Sequence, residues 1–257
     1  MIHSLKDRLK DRQPVLGMWS IISSATIAEI GILAGLDFII FDLEHGTFDL
    51  TALEAAIRAC ESAGGVPLVR VPDLQPSIFQ SVLDLGAHGV IVPQIRSVAD
   101  AERAVRYAKY PPLGCRGYNP FTRAALYANP PNNQEGKLRN SFGLVGVIIE
   151  NIEAYADLAG IATITDIDVI YLGIYDMSMA LGCHGNTKHP DVLSFVQDAA
   201  RTIKNAGKTI GMMVRNHNEM AAARDLGADF LVYGVDSNLF YQAISAPVKH
   251  FQQLIKS

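Results

Sequence analysis

Eight apolar runs alternate with eight helical segments along the chain, and this alternation constrains the fold more than any other feature of the sequence. The runs are short, as in strands of a parallel sheet that is buried on both faces, and the segments between them place apolar residues at helical spacing. The predicted strands are 13–22, 37–41, 66–71, 89–95, 143–149, 168–172, 208–214 and 229–233. The predicted helices are 23–35, 50–63, 76–85, 98–110, 152–161, 191–206, 218–226 and 237–255. Strict alternation of this kind predicts an α/β protein with a parallel sheet.

The alternation fits two architectures, a closed barrel and a doubly wound open sheet. The open sheet requires a phosphate-binding motif in its first βα turn, and neither G-x-G-x-x-G nor a Walker A motif occurs. The length of 257 residues is close to the roughly 250 of a typical barrel. Similar turn sequences precede three strands, at 33–37, 85–89 and 226–229, and no linker divides the chain. We therefore predict one (β/α)8 TIM barrel domain over residues 1–257.

Composition excludes several classes of partner. The net charge of −4 comes without a basic block, which argues against nucleic acid. No apolar run approaches the roughly 20 residues that span a bilayer, so we expect no membrane association. The charged N-terminus lacks the apolar core of a signal peptide, and we expect a cytoplasmic protein. Its three cysteines form no C-x-x-C pair, as expected in a reducing compartment without disulfides or a zinc knuckle.

Ionisable side chains follow several of the predicted strands. The run 39–41 stops at Asp42, Glu44 and His45, and strand ends elsewhere carry Arg70, Glu150, Asp176 and Arg215, with Trp19 at the end of the first strand. In a (β/α)8 barrel the carboxyl ends of the strands surround the active site. If the barrel forms, these groups converge on one site.

The types of residue allow more than one role for each group. Glu150 and Asp176 come from adjacent strands and can share a hard divalent cation such as Mg²⁺ or Mn²⁺, or each can cap the helix that follows it. His45 can serve as a general base near neutral pH, or as a hydrogen-bonded loop residue. Arg70 can bind an anion or a developing oxyanion, or pair with a carboxylate such as Glu44.

Together these residues resemble the HpcH/HpaI family of metal-dependent class II pyruvate aldolases. The resemblance includes Asp42-Leu43-Glu44-His45-Gly46 and Glu150, and it continues through 16–19, 69–72, 83–87, 89–93, 110–117, 173–178, 185–190 and 234–236. It therefore extends over most of the chain. It implies a TIM barrel whose last helix is exchanged between subunits, commonly in a homohexamer.

The resemblance also implies roles for residues. Glu150 and Asp176 would hold the cation, which is Mg²⁺ or Mn²⁺, with Co²⁺ as a further option. His45 would act as the base, Asp84 would raise its basicity, and Arg70 would steady the enolate oxygen. The other predicted positions are the substrate-binding Trp19, Gly173, Tyr175 and Asp176, and the supporting Asp42 and Glu44. No strand ends in a lysine for a Schiff base, so pyridoxal phosphate is not expected, and without a phosphate-binding motif neither is a nucleotide.

Two positions depart from the pattern of the family. Ile148 replaces the usual Gln on strand five, and Tyr175 replaces the usual Ala before Asp176. The predicted function is that of a metal-dependent aldolase that cleaves or forms a 4-hydroxy-2-oxo acid, with pyruvate and an aldehyde as the other partners, through a metal-stabilised enolate. The departures keep two alternatives open. One is condensation of an acetyl donor with oxaloacetate, as in a citrate synthase, and the other is binding of metal and 2-oxo acid without turnover.

The stretch 111–140 interrupts the alternation with five prolines. A loop of this length without regular structure is uncommon unless it has a function. The resemblance places it near neighbouring subunits, where it has two possible roles. It either contributes to a partner's acceptor site or makes a simple oligomer contact, and the residues in question are Arg116, Tyr118, Asn119 and Arg123.

Overall fold

Eight parallel strands close into a barrel in the computed structural model, which describes residues 5–128, 140–141 and 143–256. Each strand pairs with the next in sequence, and the last pairs with the first through Val15–Phe230 and Leu16–Leu231. The strands are β1 Val15–Ser20, β2 Phe38–Asp42, β3 Val66–Arg70, β4 Gly89–Val92, β5 Leu144–Ile149, β6 Val169–Leu172, β7 Thr209–Val214 and β8 Ala228–Val235. The predicted (β/α)8 barrel is confirmed.

Most of the helices connect consecutive strands, whereas the first precedes β1 and the last follows β8. They are α1 Leu5–Lys10, α2 Ala25–Leu33, α3 Leu50–Ser62, α4 Pro76–Asp84, α5 Val98–Ala108, α6 Ile152–Ala156, α7 Leu158–Ile161, α8 Ile174–Ala180, α9 Pro190–Asn205, α10 His217–Asp225 and α11 Asp236–Leu254. Several begin at side-chain caps, for example Asp49, whose carboxylate accepts the N–H of Ala52 at the start of α3. None of the described helices is long and apolar enough to cross a membrane.

The structure differs from the predicted elements in four places. Helices α1 and α8 were not predicted, and each is no longer than two turns. The predicted helix 152–161 is two short helices, because the chain leaves helical geometry at Asp157. The loop 111–140 contains a 3-10 turn at Arg123–Ala128, and its residues 129–139 lie outside the described part of the chain.

The apolar side chains form two layers. One lies between the strands and the surrounding helices, and the other fills the barrel interior. Leu5 and Leu9 of α1 belong to the interior layer, so this short helix covers one end of the barrel. Near the middle Phe38 stacks on Phe230, with ring centres 4.3 Å apart. At the other end Trp19, Ile148 and Tyr171 form the floor of a cavity.

Candidate active site

A cavity of about 290 Å³ opens at the carboxyl ends of the strands. This is where a (β/α)8 barrel places its active site. Of the ten residues predicted for the site, eight line this cavity: Trp19, Asp42, His45, Arg70, Glu150, Gly173, Tyr175 and Asp176. Glu44 lies next to it, paired with Arg70, whereas Asp84 lies elsewhere.

Arg70 is held by contacts on several sides. Its Nε donates to Asp42 Oδ1 at 2.8 Å, and Nη2 makes a shorter bond to Oδ2 of the same carboxylate. Nη1 lies 3.0 Å from Glu44 Oε2, and the guanidinium carbon lies 4.6 Å from the ring centre of Trp19. Burial alone lowers the pKa of Arg70, but the hydrogen bonds and charges of Asp42 and Glu44 outweigh it and raise the pKa. The guanidinium of Arg70 is therefore held in one position and stays protonated.

Asp42 also shapes the turn that follows β2. It is only 1% exposed, and its Oδ1 accepts the backbone N–H groups of Glu44 at 2.9 Å and His45 at 3.2 Å. Gly46 completes the turn, because a Cβ there would lie 2.1 Å from the carbonyl oxygen of Asp42. The side chain of His45 is 66% exposed, with Nε2 3.9 Å from Glu44 Oε2. Asp42 thus positions His45 through the backbone and Arg70 through side chains.

Glu150 is a buried carboxylate in a negatively charged neighbourhood. It is 6% exposed, and its Oε1 accepts the backbone N–H of Gln94 at 2.7 Å. Its pKa is raised to about 7, mainly by burial and further by the charges of Asp176 and Glu44, while Gln94 and Arg70 act in the opposite direction. A buried carboxylate with a raised pKa beside further carboxylates is characteristic of a functional site.

Asp176 approaches Glu150 because of a glycine. It lies in the first turn of α8, which begins directly after Gly173. A Cβ on Gly173 would lie 2.6 Å from the Cβ of Glu150 and 3.1 Å from its Oε2, so only glycine lets the two segments approach this closely. Glu150 and Asp176 therefore provide two neighbouring carboxylates. Oxygen ligands of this kind suit a hard divalent cation.

A comparison with known proteins identifies the family. The sequence model of the HpcH/HpaI aldolase/citrate lyase family matches residues 15–243. The chain belongs to this family.

Individual HpcH/HpaI relatives match nearly the whole chain. A hydroxypyruvate/pyruvate aldolase of Pseudomonas aeruginosa is 30% identical over 250 residues, which are 95% of this chain and 90% of that protein. A 4-hydroxy-2-oxo-heptane-1,7-dioate aldolase of Klebsiella pneumoniae is 31% identical over 252 residues, 98% of this chain and 94% of that protein. The crystal structure of the citrate synthase SbnG has a TM-score of 0.90 at 28% identity and covers 100% of both chains. The chain is a class II aldolase, a carbon–carbon lyase, as the sequence predicts.

Asp84 occupies a different region of this HpcH/HpaI barrel. It is the last residue of α4, which runs from the cavity end of the barrel to the opposite end. Its carboxylate accepts from Gln80 Nε2 and from Arg116 Nη2, each at 2.6 Å. Among the described residues of one chain, Asp84 therefore makes no contact with His45. Their pairing stays a prediction that requires a second copy.

The loop residues proposed for a neighbouring site also lie at this opposite end. Arg116 pairs with Asp84 and lies over the ring of Tyr110, 4.5 Å from its centre. Arg123 pairs with Glu61 and donates to the carbonyl oxygen of Leu85 at 3.2 Å. Both arginines thus have partners within their own chain. A role for this loop in a partner's site stays a prediction.

Two polar residues that support the site, Gln94 and Tyr171, were not predicted from the sequence. Gln94 reaches Glu150 through its backbone, with φ at +57°. Tyr171 lies under the cavity, where its hydroxyl accepts the Nε1–H of Trp19 at 3.2 Å and burial raises its pKa. Neither has a signal in the sequence, because an unusual φ at a glutamine and an inward-facing strand tyrosine are visible only in the fold.

A second set of potential metal ligands lies on the loop before α9. Single ligand atoms of Cys183, His189 and Asp191 all lie within 4.8 Å of one another. However, His189 Nδ1 already accepts the backbone N–H of Asp191 at 3.3 Å, as the cap of α9. We therefore assign these residues to the start of the helix, and Glu150 and Asp176 remain the better cation ligands.

Proposed function

We propose that this aldolase cleaves and forms 4-hydroxy-2-oxo acids, with pyruvate and an aldehyde as the other reactants, in a single domain over residues 1–257. The observation that supports this most strongly is the placement of a fixed cation, Arg70, beside two carboxylates, Glu150 and Asp176, in one cavity. The names of the relatives from Pseudomonas aeruginosa and Klebsiella pneumoniae agree with this chemistry.

Glu150 and Asp176 would hold the divalent cation, for which Mg²⁺, Mn²⁺ and Co²⁺ are the candidates. When bound, the cation acts as a Lewis acid on the keto oxygen and makes the neighbouring methyl group more acidic. Burial of Glu150 and the N–H of Gln94 fix one carboxylate in place before any ligand arrives. Burial raises the pKa of Glu150 most, and the negative charges of Asp176 and Glu44 raise it further; a bound divalent cation would offset those charges.

Arg70 would stabilise the negative charge that develops on the substrate oxygen. Each of its three nitrogens faces an oxygen of Asp42 or Glu44, and each terminal nitrogen keeps a second N–H for the substrate. Because these partners and Trp19 already orient the guanidinium, it need not reorganise during the reaction. Ile148 on the cavity floor offers no polar group, so pyruvate would depend on the cation and Arg70 for its orientation.

His45 would remove the methyl proton. It lines the cavity at its rim, with Glu44 on one side, and its exposed ring can exchange protons with solvent. An imidazole suits proton transfer near neutral pH. A productive pose requires the ring within hydrogen-bond reach of the proton or of one intervening water.

The test is exchange of the pyruvate methyl protons with deuterium, followed by NMR with Mg²⁺ or Mn²⁺ present. We expect the wild type to exchange them. The exchange rate of Glu150→Ala and of His45→Ala should be at least about 100-fold lower. Retained folding is checked by circular dichroism. Wild-type exchange rates in both variants contradict the proposal, and absence of exchange in the wild type favours a binding protein without turnover.

A citrate-synthase-like condensation is the second candidate, because SbnG matches the full chain and Ile148 removes the usual pyruvate-binding amide. It is tested by release of free thiol from an acetyl thioester in the presence of oxaloacetate. Thiol release without pyruvate exchange selects this reaction.

We further propose that the protein forms homo-oligomers, a hexamer in the simplest case, through α11. Only Asp236 of this helix is buried, and large apolar side chains along it are exposed: Phe240, Tyr241, Ile244, Val248, Phe251 and Leu254. A second copy of the chain is the partner that the resemblance implies. A cytoplasmic location stays a prediction.

A further inference from the structure

Tyr175 and Arg215 form a hydrogen-bonded pair at the rim of the cavity. Tyr175 lines the cavity and is 41% exposed, directly before the proposed cation ligand Asp176. Arg215 follows β7, and its Nη1 donates to the Tyr175 hydroxyl oxygen at 2.8 Å. The guanidinium carbon also lies 5.9 Å from the centre of the Tyr175 ring. Arg215, at the end of the neighbouring strand, thus holds the side chain of Tyr175 in position.

The direction of this hydrogen bond determines what Tyr175 can offer. A guanidinium has only donors, so the tyrosine oxygen must accept. The hydroxyl proton of Tyr175 is then left to donate, and among the described residues it has no acceptor. A phenol held in this way presents one oriented donor to a molecule in the cavity.

The charge of Arg215 is already matched within the chain. Its Nε and Nη2 donate to the two carboxylate oxygens of Glu219, at 3.0 and 2.8 Å. The backbone N–H of Arg215 also donates to Glu219, at 2.9 Å. The Arg215–Glu219 pair carries no net charge, so Arg215 offers no unmatched positive charge to a substrate carboxylate. This part of the rim therefore suits a neutral polar group better than a carboxylate.

We infer that Tyr175 and Arg215 form a subsite for the hydroxyl group of a hydroxylated aldehyde, and that the subsite disfavours aldehydes with a terminal carboxylate. The inference rests on the proposed aldol function. Tyr175 donates to the hydroxyl oxygen of the acceptor, and Arg215 is a positioning residue that keeps the phenol in the donating orientation. The bulk of Tyr175, where the family usually has Ala, is then a specificity element.

The experiment compares three aldehydes with pyruvate as donor. Glycolaldehyde carries the hydroxyl, propionaldehyde has nearly the same size without it, and succinic semialdehyde carries a carboxylate. For the wild type we expect the largest kcat/KM with glycolaldehyde. In Tyr175→Phe the ratio of kcat/KM for glycolaldehyde to that for propionaldehyde should fall about fivefold, as expected for one lost hydrogen bond.

Arg215→Met should lower the same ratio, and Arg215→Lys should restore part of it. The double variant Tyr175→Phe/Arg215→Met should lose no more than the larger single loss, because the two residues act as a unit. Tyr155→Phe and Arg201→Met are matched controls on the outer helices, and they should keep the wild-type ratio. Thermal unfolding of each variant checks that it folds.

Three results overturn the subsite: an unchanged ratio in Tyr175→Phe, additive losses in the double variant, or a wild-type preference for succinic semialdehyde. Exchange of pyruvate methyl protons by the wild type separates these outcomes from failure of the aldol function. If exchange occurs and the ratio does not respond, the subsite alone is wrong. If exchange is absent, the proposed function is wrong and the subsite falls with it.

Discussion

The backbone N–H of Gln94 donates to the carboxylate of Glu150 at 2.7 Å, from a residue held at φ +57°. A glutamine in this left-handed region is uncommon and costs conformational energy. The strained turn after β4 thus supplies a backbone donor that steadies the buried carboxylate directly after β5. It reaches that carboxylate across 56 residues of sequence. Strain at this position contributes to the preorganisation of the candidate cation site.

The first prediction concerns pH and the stability of the protein without a cation. Burial raises the pKa of Glu150 in the folded state to about 7, from its ordinary value of 4.5. Between these values the folded state binds more protons than the unfolded state, so this group makes the free energy of unfolding decrease as pH rises from about 4.5 to 7. Urea unfolding in EDTA across this range should show the decrease, and Glu150→Gln should flatten it. An equal slope in the variant assigns the effect to other groups.

The second prediction concerns the approach of α8 to β5. Gly173→Ala should push the start of α8 away from Glu150, since the new Cβ would lie 2.6 Å from the Cβ of that residue. Mn²⁺ affinity, followed by isothermal titration, should fall at least about tenfold, as expected when a supporting contact of a metal site is lost. Gly117→Ala is the control, because its Cβ would meet only the end of the Gln80 side chain, at 3.2 Å. Unchanged affinity in Gly173→Ala contradicts this account of the site.

The third prediction concerns the geometry of Arg70. A lysine keeps the charge but cannot pair with both oxygens of Asp42 and reach Glu44 at the same time. We expect Arg70→Lys to lower the rate of pyruvate proton exchange on the order of 100-fold. Arg201→Lys on α9 is the matched control for the chemical change. A loss confined to KM assigns Arg70 to ground-state binding instead of stabilisation of the developing charge.

The sequence predicts the parts of this site that depend on strand ends. The run 39–41 stops at Asp42, and β2 ends at that residue, so the carboxylate of Asp42 lies at the mouth of the barrel. The same reasoning places Arg70 and Glu150, because β3 ends at Arg70 and β5 ends one residue before Glu150. The alternation of strands and helices is enough to place these residues, because closure of the barrel brings the carboxyl ends of all strands to one face.

Most partnerships between distant side chains could not be predicted from the sequence, and the pair of Arg70 with Glu44 is an exception. The alternatives for Arg70 were an anion site or an ion pair, and the structure supplies the pair, with Asp42 as well as Glu44. Helix α8 was missed because it is only seven residues long, too short for a helical period to be recognised in the sequence. The role of Asp84 stays a prediction, because a motif match carries no information on which end of the barrel a helix terminus reaches, and within one chain Asp84 pairs with Arg116.

The fourth prediction concerns the apolar face of α11. Phe240, Ile244, Val248 and Phe251 follow one another at helical spacing and are all exposed, with Phe240 68% exposed. A contiguous apolar stripe of this kind marks a protein–protein contact. Sedimentation velocity of the wild type should give a mass several times the 27.9 kDa of one chain, and Phe240→Asp/Phe251→Asp should reduce it. Gln242→Asp/Gln253→Asp adds the same charge at exposed positions on the other face of the helix and should leave the mass unchanged. A wild-type mass of one chain contradicts the proposed oligomer, and with it any pairing of Asp84 with His45 across two copies.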